Sequence, residues 1–422
     1  MDSTAAFEQE VRKNFRFNFT VNLLDVAAYM FAYSFMSPSA ILPVYITHFT
    51  RNPTFIGLFS FLGTAGILVP QLFTANLVER APVKKVFPFN LGFLLERLPI
   101  FLFVPTSFLF AGSYPVLALT SFFILYTWHT HGAGSIMVGW QDMIAKIIPV
   151  QSRGKFFGIS NSIGNVTGIL GAATVAWLLA RYPFPTGFVI AFCFASVFML
   201  LSWIFLGLSR EPRDPVRKPE VSSFEYFKAL PAIIRSNHNF QNYLLTQIVS
   251  STGAVGAGFL LVYAIQRWSV SDSQAASYSI AIMVTQSIAN LLLGFLADRK
   301  GHKIVLEISI LLSVVSFVIA LVVSSPAWFY LVFALRGIVG GGVFVSSMAL
   351  PLEFSEPKDR PTYIGLASTL PGMAGAVAPL IGGALAELTG YQPLFLASAL
   401  ITCVAFVLMR WTVKEPRHDY PL

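Results

Sequence analysis

Charged residues are scarce in this chain. Asp, Glu, Lys and Arg make up 11% of its 422 residues, whereas 55% are hydrophobic. Soluble domains carry about 25% charged residues, so soluble domains of this composition would expose too much apolar surface to stay dispersed. Disorder is excluded by the opposite feature, because the chain is rich in Phe, with 40 residues, and in other apolar side chains. The composition therefore indicates a protein that lies largely in lipid.

Cysteine and catalytic motifs are equally sparse. The two cysteines, Cys193 and Cys403, both lie in apolar runs, so we expect neither a disulfide framework nor a metal site. The chain has no His-Glu-x-x-His sequence, and Ser160 lacks the flanking glycines of a nucleophile elbow. We therefore expect no enzymatic activity and no cofactor.

Long apolar runs take up most of the chain, and a bilayer span needs about 20 such residues. The longest polar stretch, 209–237, separates six runs from six others. We therefore predict an all-α membrane protein with twelve transmembrane helices in two six-helix bundles, 1–208 and 238–422, joined by a cytoplasmic linker, 209–237. The predicted spans are 18–47, 54–78, 86–105, 116–145, 156–180, 186–208, 240–266, 274–297, 304–324, 327–352, 362–386 and 392–412.

Basic residues are distributed unevenly around these spans. Of the 28 Lys and Arg residues, Arg51, Arg181 and Arg267 fall in loops on one side, and Arg97 and Arg336 fall inside spans. All the others lie on the opposite side, which the positive-inside rule assigns to the cytoplasm. The net charge of +8 is thus explained by topology, and no nucleic-acid partner is expected. We expect a multi-pass protein of the cell membrane with both termini cytoplasmic.

Two pairs of loops repeat each other. Arg153 after span 4 and Arg360 after span 10 stand 207 residues apart. Glu79, Arg80 and Lys84 at the end of span 2 stand 219 residues before Asp298, Arg299 and Lys303 at the end of span 8. The second copy resembles the loop signature of the major facilitator superfamily, and it reads Gly294-Phe295-Leu296-Ala297-Asp298-Arg299-Lys300-Gly301-His302-Lys303.

The resemblance implies a secondary transporter built from two pseudo-symmetric six-helix bundles that work by alternating access. It also implies that spans 1, 4, 7 and 10 line the central cavity. The charged loop residues would form a cytoplasmic gate, with Glu353 as a partner for Arg299 or Lys303. The alternative is that these charges only anchor helix ends at the lipid headgroups. The gate residues implied by the resemblance are Glu79, Arg80, Asp298, Arg299, Lys303 and Glu353.

Polar and aromatic residues form a stripe on span 1. Asn22, Asp25, Tyr29, Tyr33 and Met36 follow one another at steps of three or four, which places all five on one helical face. Charged groups inside a bilayer are costly and often functional. The stripe therefore predicts cavity-lining residues, with Asp25 as a protonation site. The alternative is a structural Asp bonded to a neighbouring helix.

Span 4 carries Trp128, His129 and His131 near its middle. Two histidines at positions i and i+2 point to opposite sides of a helix, so they cannot form a metal pair, and at most one faces the cavity. His131 is a candidate for contact with a proton or a substrate. A structural, hydrogen-bonded histidine is the other interpretation.

Arginine occurs inside two predicted spans. Arg336 lies deep in span 10, where it needs an acid, carbonyl groups or an anionic substrate as partner. It is either a cavity residue or one half of a buried structural ion pair. In span 3, Glu96 and Arg97 are adjacent and point about 100° apart, so we expect a structural network with span 2 or 4 rather than a pair with each other.

Amide side chains recur inside the remaining spans. Gln286 and Asn290 in span 8 are spaced i, i+4, and Gln247 lies in span 7. Such amides bind either a polar ligand or a neighbouring helix. The substrate-cavity candidates are Asp25, Tyr29, Tyr33, Trp128, His131, Gln247, Gln286, Asn290 and Arg336.

These features together predict a secondary active transporter, expected as a monomer. An aromatic cavity with few charges suits a small amphiphilic organic solute, and Asp25 with His131 suits proton-coupled efflux. Proton-coupled uptake of a sugar, vitamin or carboxylate is the alternative. A different class, a non-transporting receptor or lipid scramblase on the same fold, also remains open.

Overall fold

The computed structural model describes residues 3–38, 41–50, 53–213, 223–270 and 272–418. Arg51 and residues 214–222 of the predicted linker lie outside these ranges. Within them the regular secondary structure is helical, without a β-strand.

Twelve long helices follow the order of the twelve predicted spans, and we number them accordingly. Two of them are composite: α3 begins with π-helical turns, Phe87–Leu91 and Phe93–Arg97, and α7 contains a 3₁₀ segment, Ala254–Phe259. A short helix, Ile41–Thr47, follows α1, and another, Ser223–Ser236, precedes α7. The bounds are α1 Ser3–Ser34, α2 Pro53–Arg80, α3 Phe87–Phe110, α4 Pro115–Ile147, α5 Arg153–Arg181, α6 Thr186–Leu208, α7 His238–Trp268, α8 Asp272–Lys300, α9 His302–Val322, α10 Phe329–Glu353, α11 Arg360–Thr389 and α12 Tyr391–Thr412.

Ten helices in the described part of the chain are long and apolar enough to cross a bilayer, all except α1 and α4 among these twelve. Both exceptions contain charged or imidazole side chains: α1 contains Arg12, Arg16 and Asp25, and α4 contains His129 and His131. The predicted all-α class with twelve transmembrane helices is confirmed.

The first predicted span, approximately 18–47, is wrong in its second half, because the helix does not continue through it. The helix begins at Ser3 and ends at Ser34, and Ile41–Thr47 is a separate helix. Pro38 lies between the two helices, and a proline both lacks an N–H and disfavours helical geometry in the residue before it. The sequence Ser37-Pro38-Ser39 signals a turn at the break, but the apolar residues on both sides hide it in an average of hydropathy over about 20 residues.

The chain folds into two compact units. Unit 1 comprises Met1–Pro149 and Ile163–Glu220, and unit 2 comprises Val150–Ser162 and Val221–Leu422. Unit 1 therefore holds α1 to α4, most of α5, and α6, whereas unit 2 holds α7 to α12. The start of α5 packs with unit 2.

Aromatic side chains fill the core of unit 1. Phe103, Phe122 and Phe192 are almost completely buried there. The buried hydroxyl of Tyr45 is hydrogen-bonded to that of Ser107 at 2.8 Å, which satisfies both polar groups. In lipid the hydrophobic effect does not draw helices together, so close packing and such bonds must hold them.

Unit 2 has a similar core and an additional close helix contact. Tyr278, Phe317 and Phe395 are fully buried, and the Tyr278 hydroxyl donates to the carbonyl of Pro326 at 2.7 Å. A Cβ placed on Gly337 would collide with the Ile282 carbonyl of α8. The missing side chain thus allows α10 to lie directly against α8.

The two units repeat each other at the level of single hydrogen bonds. In unit 1 the amide of Asn18 donates to the carbonyl of Arg210 and accepts from its N–H, both at 2.8 Å. In unit 2 the amide of Asn239 bonds Lys414 in the same two ways, at 3.0 and 2.7 Å. Asn18 thereby holds α1 to the segment after α6, and Asn239 holds α7 to the segment after α12.

Candidate functional site

Asp25 lies in the interior of unit 1. Its side chain is buried, and one carboxylate oxygen accepts a 2.6 Å hydrogen bond from the hydroxyl of Ser202 on α6. The indole of Trp140 on α4 is a second hydrogen-bond partner. Asp25 thus joins three helices, and the predicted role of its stripe in lining a cavity stays a prediction.

Glu96 and Arg97 continue this network from α3. The carboxylate of Glu96 accepts from the hydroxyl of Tyr29 at 2.8 Å, and the Glu96 carbonyl lies 2.9 Å from a ring nitrogen of His129. The guanidinium of Arg97 reaches the hydroxyl of Ser202 at 3.5 Å. The predicted network with span 2 or 4 is met at α4 through the carbonyl of Glu96, whereas the two side chains bond α1 and α6 instead.

The expectation that Glu96 and Arg97 do not bond each other is wrong, because the guanidinium of Arg97 lies 2.9 Å from the Glu96 carboxylate. The backbone here is π-helical, and its wider spiral brings adjacent side chains to a smaller angular separation than an α-helix does. The resulting chain of polar groups runs from Glu96 through Arg97 and Ser202 to Asp25. It places two carboxylates around one guanidinium.

Trp128 and His131 line a groove of about 590 Å³ between α3 and α4. Leu95 of α3 and Ser135 of α4 also line it. The Nδ1 atom of His131 lies 2.8 Å from the carbonyl of Thr127, so that nitrogen carries the proton and Nε2 remains available. The two histidines point to opposite sides as predicted, since His129 faces the buried network.

One face of α10 in unit 2 carries two polar side chains with a glycine between them. Arg336, Gly340 and Ser347 are spaced i, i+4, i+11 and share a half-buried face. The amide of Gln247 on α7 donates to the hydroxyl of Ser347 at 3.5 Å. A Cβ on Gly340 would lie 3.5 Å from the amide of Gln286. Three predicted cavity residues, Gln247, Gln286 and Arg336, are thus brought to one side of unit 2.

Asn290 is placed differently. It is fully buried, and its side-chain oxygen accepts from the amide of Asn161 on α5 at 2.9 Å. Nearby, a Cβ on Gly154 would lie 2.6 Å from the carbonyl of Gly294, and the reverse distance is also 2.6 Å. The start of α5 therefore crosses α8 backbone to backbone, with Asn290 as part of the contact.

The carboxylate of Asp298 caps the start of α5. One oxygen accepts from the backbone N–H of Gly154 at 2.8 Å, and the other accepts from that of Lys155 at 2.7 Å. The first N–H groups of a helix have no partner within the helix and carry partial positive charge. An anion is therefore well suited to this position.

Glu353 binds a residue that was absent from the sequence predictions. Its carboxylate pairs with the guanidinium of Arg417, at 2.7 and 2.8 Å, rather than with Arg299 or Lys303. Lys303 instead pairs with Glu307 at 3.0 Å, and Arg299 is exposed. Arg417 also donates to the carbonyl oxygens that end α8, so the segment after α12 holds α8 and α10 together.

The corresponding loop of unit 1 is organised by Glu211. Its carboxylate accepts from the backbone N–H groups of Lys84 and Lys85, each at 2.7 Å, and pairs with Lys146 at 2.9 Å. The side chain of Lys84 lies 3.6 Å from Asp142. Partial burial lowers the pKa of the Lys85 amine, and the charge of Glu211 opposes that shift.

The predicted gate pair of unit 1 lies beside this loop. Glu79 is buried, and the guanidinium of Arg80 donates to the amide of Asn76 at 2.9 Å. The amine of Lys84 donates to the carbonyl of Val78 at 2.8 Å. Arg80 and Lys84 thus form hydrogen bonds with groups in the last turns of α2.

A repeated tripeptide in the sequence could have identified Glu211 and Arg417. The sequence Glu-Pro-Arg occurs at 211–213 and at 415–417, after the sixth and the twelfth helix. Glu211 accepts from the N–H of Lys84, and Glu415 accepts from that of Lys303 at 3.0 Å. Lys84 and Lys303 are equivalent by the 219-residue offset. Glu211 and Glu415 therefore bind equivalent loops, the first after α2 and the second after α8.

Replacing Glu211 with Gln is expected to lower the free energy of unfolding by about 2 kcal/mol, because hydrogen bonds to a charged acceptor contribute about 1.5–3 kcal/mol. Thermal unfolding of the purified protein in detergent measures the change. Glu356→Gln is the control, since Glu356 pairs with Lys358 on the surface and such pairs contribute little. Equal melting temperatures for the two variants would contradict the role of Glu211.

Two repeats of six membrane-spanning helices, with charged groups buried inside them, are the architecture of a secondary membrane transporter. The family model of the Major Facilitator Superfamily matches residues 24–266 and 243–421. The chain belongs to this superfamily and is a multi-pass membrane protein. Transport of a small molecule, and not catalysis, is the activity of this family and fold.

Curated relatives match parts of the chain. The Staphyloferrin B transporter of Staphylococcus aureus is 32% identical over 187 residues, which cover 43% of this chain and 44% of that protein. Multidrug resistance protein MdtG of Serratia proteamaculans is 36% identical over 143 residues, 33% of either chain. The chain thus matches less than half the length of these relatives.

Solved structures match nearly the whole chain. The Escherichia coli fucose:proton symporter FucP has a TM-score of 0.79 at 14% identity, over 95% of this chain and all of that one. The human organic anion transporter MFSD10 has a TM-score of 0.67 at 17% identity, over 93% and 99%. At these identities the likeness shows the fold.

Proposed function

We propose that the protein exports small amphiphilic organic solutes across the cell membrane in exchange for protons, as a monomer with both termini in the cytoplasm. The names of the matched relatives, a multidrug resistance protein and a siderophore transporter, support export of organic compounds. The excess of basic residues on one side of the spans supports the orientation.

The buried carboxylate of Asp25 is the observation that carries the proton coupling. It lies inside the membrane-spanning part of unit 1, bonded to the hydroxyl of Ser202, while Arg97 directs its guanidinium to Glu96. The hydroxyl of Ser202 is neutral and can donate to or accept from the carboxyl group, so it can bond Asp25 with or without its proton. Such carboxyl groups act as proton carriers in transporters.

Candidate contacts for the solute lie on both units. In unit 1 they are the aromatic and imidazole groups of Tyr29, Tyr33, Trp128 and His131, of which the last two line the groove between α3 and α4. In unit 2 they are the amides of Gln247 and Gln286, with Arg336, whereas the buried Asn290 belongs to the contact of α5 with α8. Aromatic rings and neutral amides suit a solute that is apolar with few polar groups.

The gate is the cluster of charged residues at the loop ends. Asp298 holds the start of α5, Glu353 holds Arg417, and Glu79, Arg80 and Lys303 belong to the repeated loops. Breaking and remaking the bonds of Asp298 during each cycle would provide two states for alternating access.

Everted membrane vesicles with an acidic lumen test the proposal. An exporter that exchanges its solute for protons accumulates the solute inside and releases protons when the solute is added. Suitable solutes share one naphthalene ring and differ in charge: a sulfonate, a sulfonamide and a quaternary ammonium. Accumulation that occurs only in right-side-out vesicles with an acidic exterior would instead establish uptake.

Asp25→Asn is expected to abolish this coupling. The amide keeps the size and the hydrogen bond but cannot exchange a proton, so gradient-driven accumulation should fall about tenfold or more while solute binding persists. The control is Glu10→Gln, on the exposed start of the same helix. Unchanged transport with an unchanged pH dependence in Asp25→Asn would remove Asp25 from the mechanism.

A further inference from the structure

The arginines inside the membrane-spanning helices have opposite surroundings. Arg97 in unit 1 is 3% exposed, and its guanidinium pairs with Glu96 at 2.9 Å. Arg336 in unit 2 contacts neutral groups: it donates to the hydroxyl of Ser313 at 2.7 Å and lies 5.5 Å from the ring centre of Phe317. Among the described residues, no carboxylate lies within ion-pair distance of Arg336.

The residues around Arg336 differ from those at the equivalent positions of unit 1. Arg336 and His129 are equivalent by the 207-residue offset between the loops after α4 and α10, and each contacts the preceding helix of its own unit. Glu96, which compensates Arg97 in unit 1, is equivalent by the 219-residue offset to Val315. Unit 2 therefore has a cation where unit 1 has an imidazole, and an apolar side chain where unit 1 has the acid.

The guanidinium of Arg336 keeps hydrogen-bond donors that its neutral partners do not use. A guanidinium has five N–H donors in a planar fork, and the hydroxyl of Ser313 and the face of Phe317 occupy only part of them. Arg336 is half-buried, on the α10 face that includes Gly340 and Ser347. Gly340 has no side chain, which leaves space one turn away, and the amides of Gln286 and Gln247 border the same face.

We propose that Arg336 binds the anionic group of the transported solute, so that the preferred substrates are amphiphilic organic anions with a carboxylate or sulfonate group. A guanidinium binds such groups through two parallel hydrogen bonds. The anion supplies the negative charge that is missing beside Arg336, and the amides of Gln247 and Gln286 bind its remaining polar atoms. This inference rests on the proposed transport function, because it assigns the substrate class of that site.

Binding of three matched probes tests the inference. They are 1-naphthalenesulfonate, 1-naphthalenesulfonamide and trimethyl(1-naphthylmethyl)ammonium, which share the ring and carry a negative, zero and positive charge. Equilibrium dialysis of the purified protein in detergent measures each affinity. The wild type is expected to bind the sulfonate at least about tenfold more tightly than the other two, since one charge-assisted bidentate contact is lost in each of them.

Three variants separate recognition from folding. Arg336→Gln should lower the affinity for the sulfonate about tenfold and change that for the sulfonamide less than about twofold. Arg336→Lys keeps the charge without the fork and should recover part of the affinity. Arg267→Gln removes a positive charge from an exposed position of unit 2, and it should bind all three probes like the wild type.

Each result of these binding experiments either supports or contradicts the role of Arg336. Equal wild-type affinity for the three probes, no binding of the sulfonate at millimolar concentration, or an equal loss for sulfonate and sulfonamide in Arg336→Gln would each overturn the role of Arg336. Sulfonate binding that depends on Arg336 supports it. If that binding is present but the vesicles transport none of the probes, the recognition site stands and the proposed transport function fails.

Discussion

Asp298→Asn is expected to reduce the rate of solute transport about tenfold while solute binding persists. The carboxylate accepts two backbone N–H groups at the start of α5. An asparagine offers one acceptor, turns a donor toward the other N–H, and removes the negative charge from the positive end of the helix. Caps and helix-end charges contribute about 0.5–2 and 0.3–1 kcal/mol, and 1.4 kcal/mol corresponds to a factor of ten in a conformational equilibrium.

Flux into proteoliposomes measures this effect, and Lys300→Gln is the control. Lys300 is exposed and lies two residues from Asp298, so its replacement changes the local charge but leaves the cap of α5 intact. A transport rate for Asp298→Asn within twofold of the control would mean that the cap has no part in the cycle. If the protein were a receptor without a transport cycle, neither the wild type nor these two variants would show any flux.

Arg97→Met is expected to destabilise the protein by about 3–5 kcal/mol, the usual cost of leaving a buried charge without its partner. The substitution leaves Glu96 without its counter-charge in the interior of unit 1, with Asp25 nearby. Thermal unfolding in detergent and the yield of folded protein measure the loss. The double variant Glu96→Gln/Arg97→Met removes the uncompensated acid as well, and it should recover most of the stability.

Arg336→Met is the informative comparison for this stability experiment. Both arginines lie within membrane-spanning helices, but Arg336 is half-buried and has neutral partners, so its removal leaves no carboxylate uncompensated. We expect a clearly smaller loss of stability for Arg336→Met than for Arg97→Met. Equal losses would show that the pair of Glu96 and Arg97 does not account for the cost.

The fold was largely predictable, because lipid imposes a strong pattern on the sequence. Twelve apolar runs of sufficient length predicted twelve helices, and the loop motifs at Asp298 and Glu79 predicted the repeat. The error at 18–47 arose where an apolar stretch contains a turn near Pro38. The hydrogen bonds of Lys84 and Lys303 to Glu211 and Glu415 agree with the predicted equivalence of the two loops.

The site was predictable only in part, because helical periodicity specifies a face but not the neighbour of that face. The stripe of Asp25 and Tyr29 was recognised, yet their partners Ser202 and Glu96 were not. Similarly, Glu353 was recognised as a charged helix end, but its partner is Arg417. Whether these residues contact a solute or a proton stays a prediction that the variants above address.

The amino-acid sequence by itself determined that this protein lies in the membrane, that it has twelve helices and that its halves repeat, because these properties follow from local composition and spacing. Only the tertiary structure decided which charges are compensated. Asp25 and Ser202 are 177 residues apart, and Asp298 and Gly154 are 144 residues apart. Partners at such separations meet through helix packing, which depends on close contacts such as that of Gly154 with Gly294.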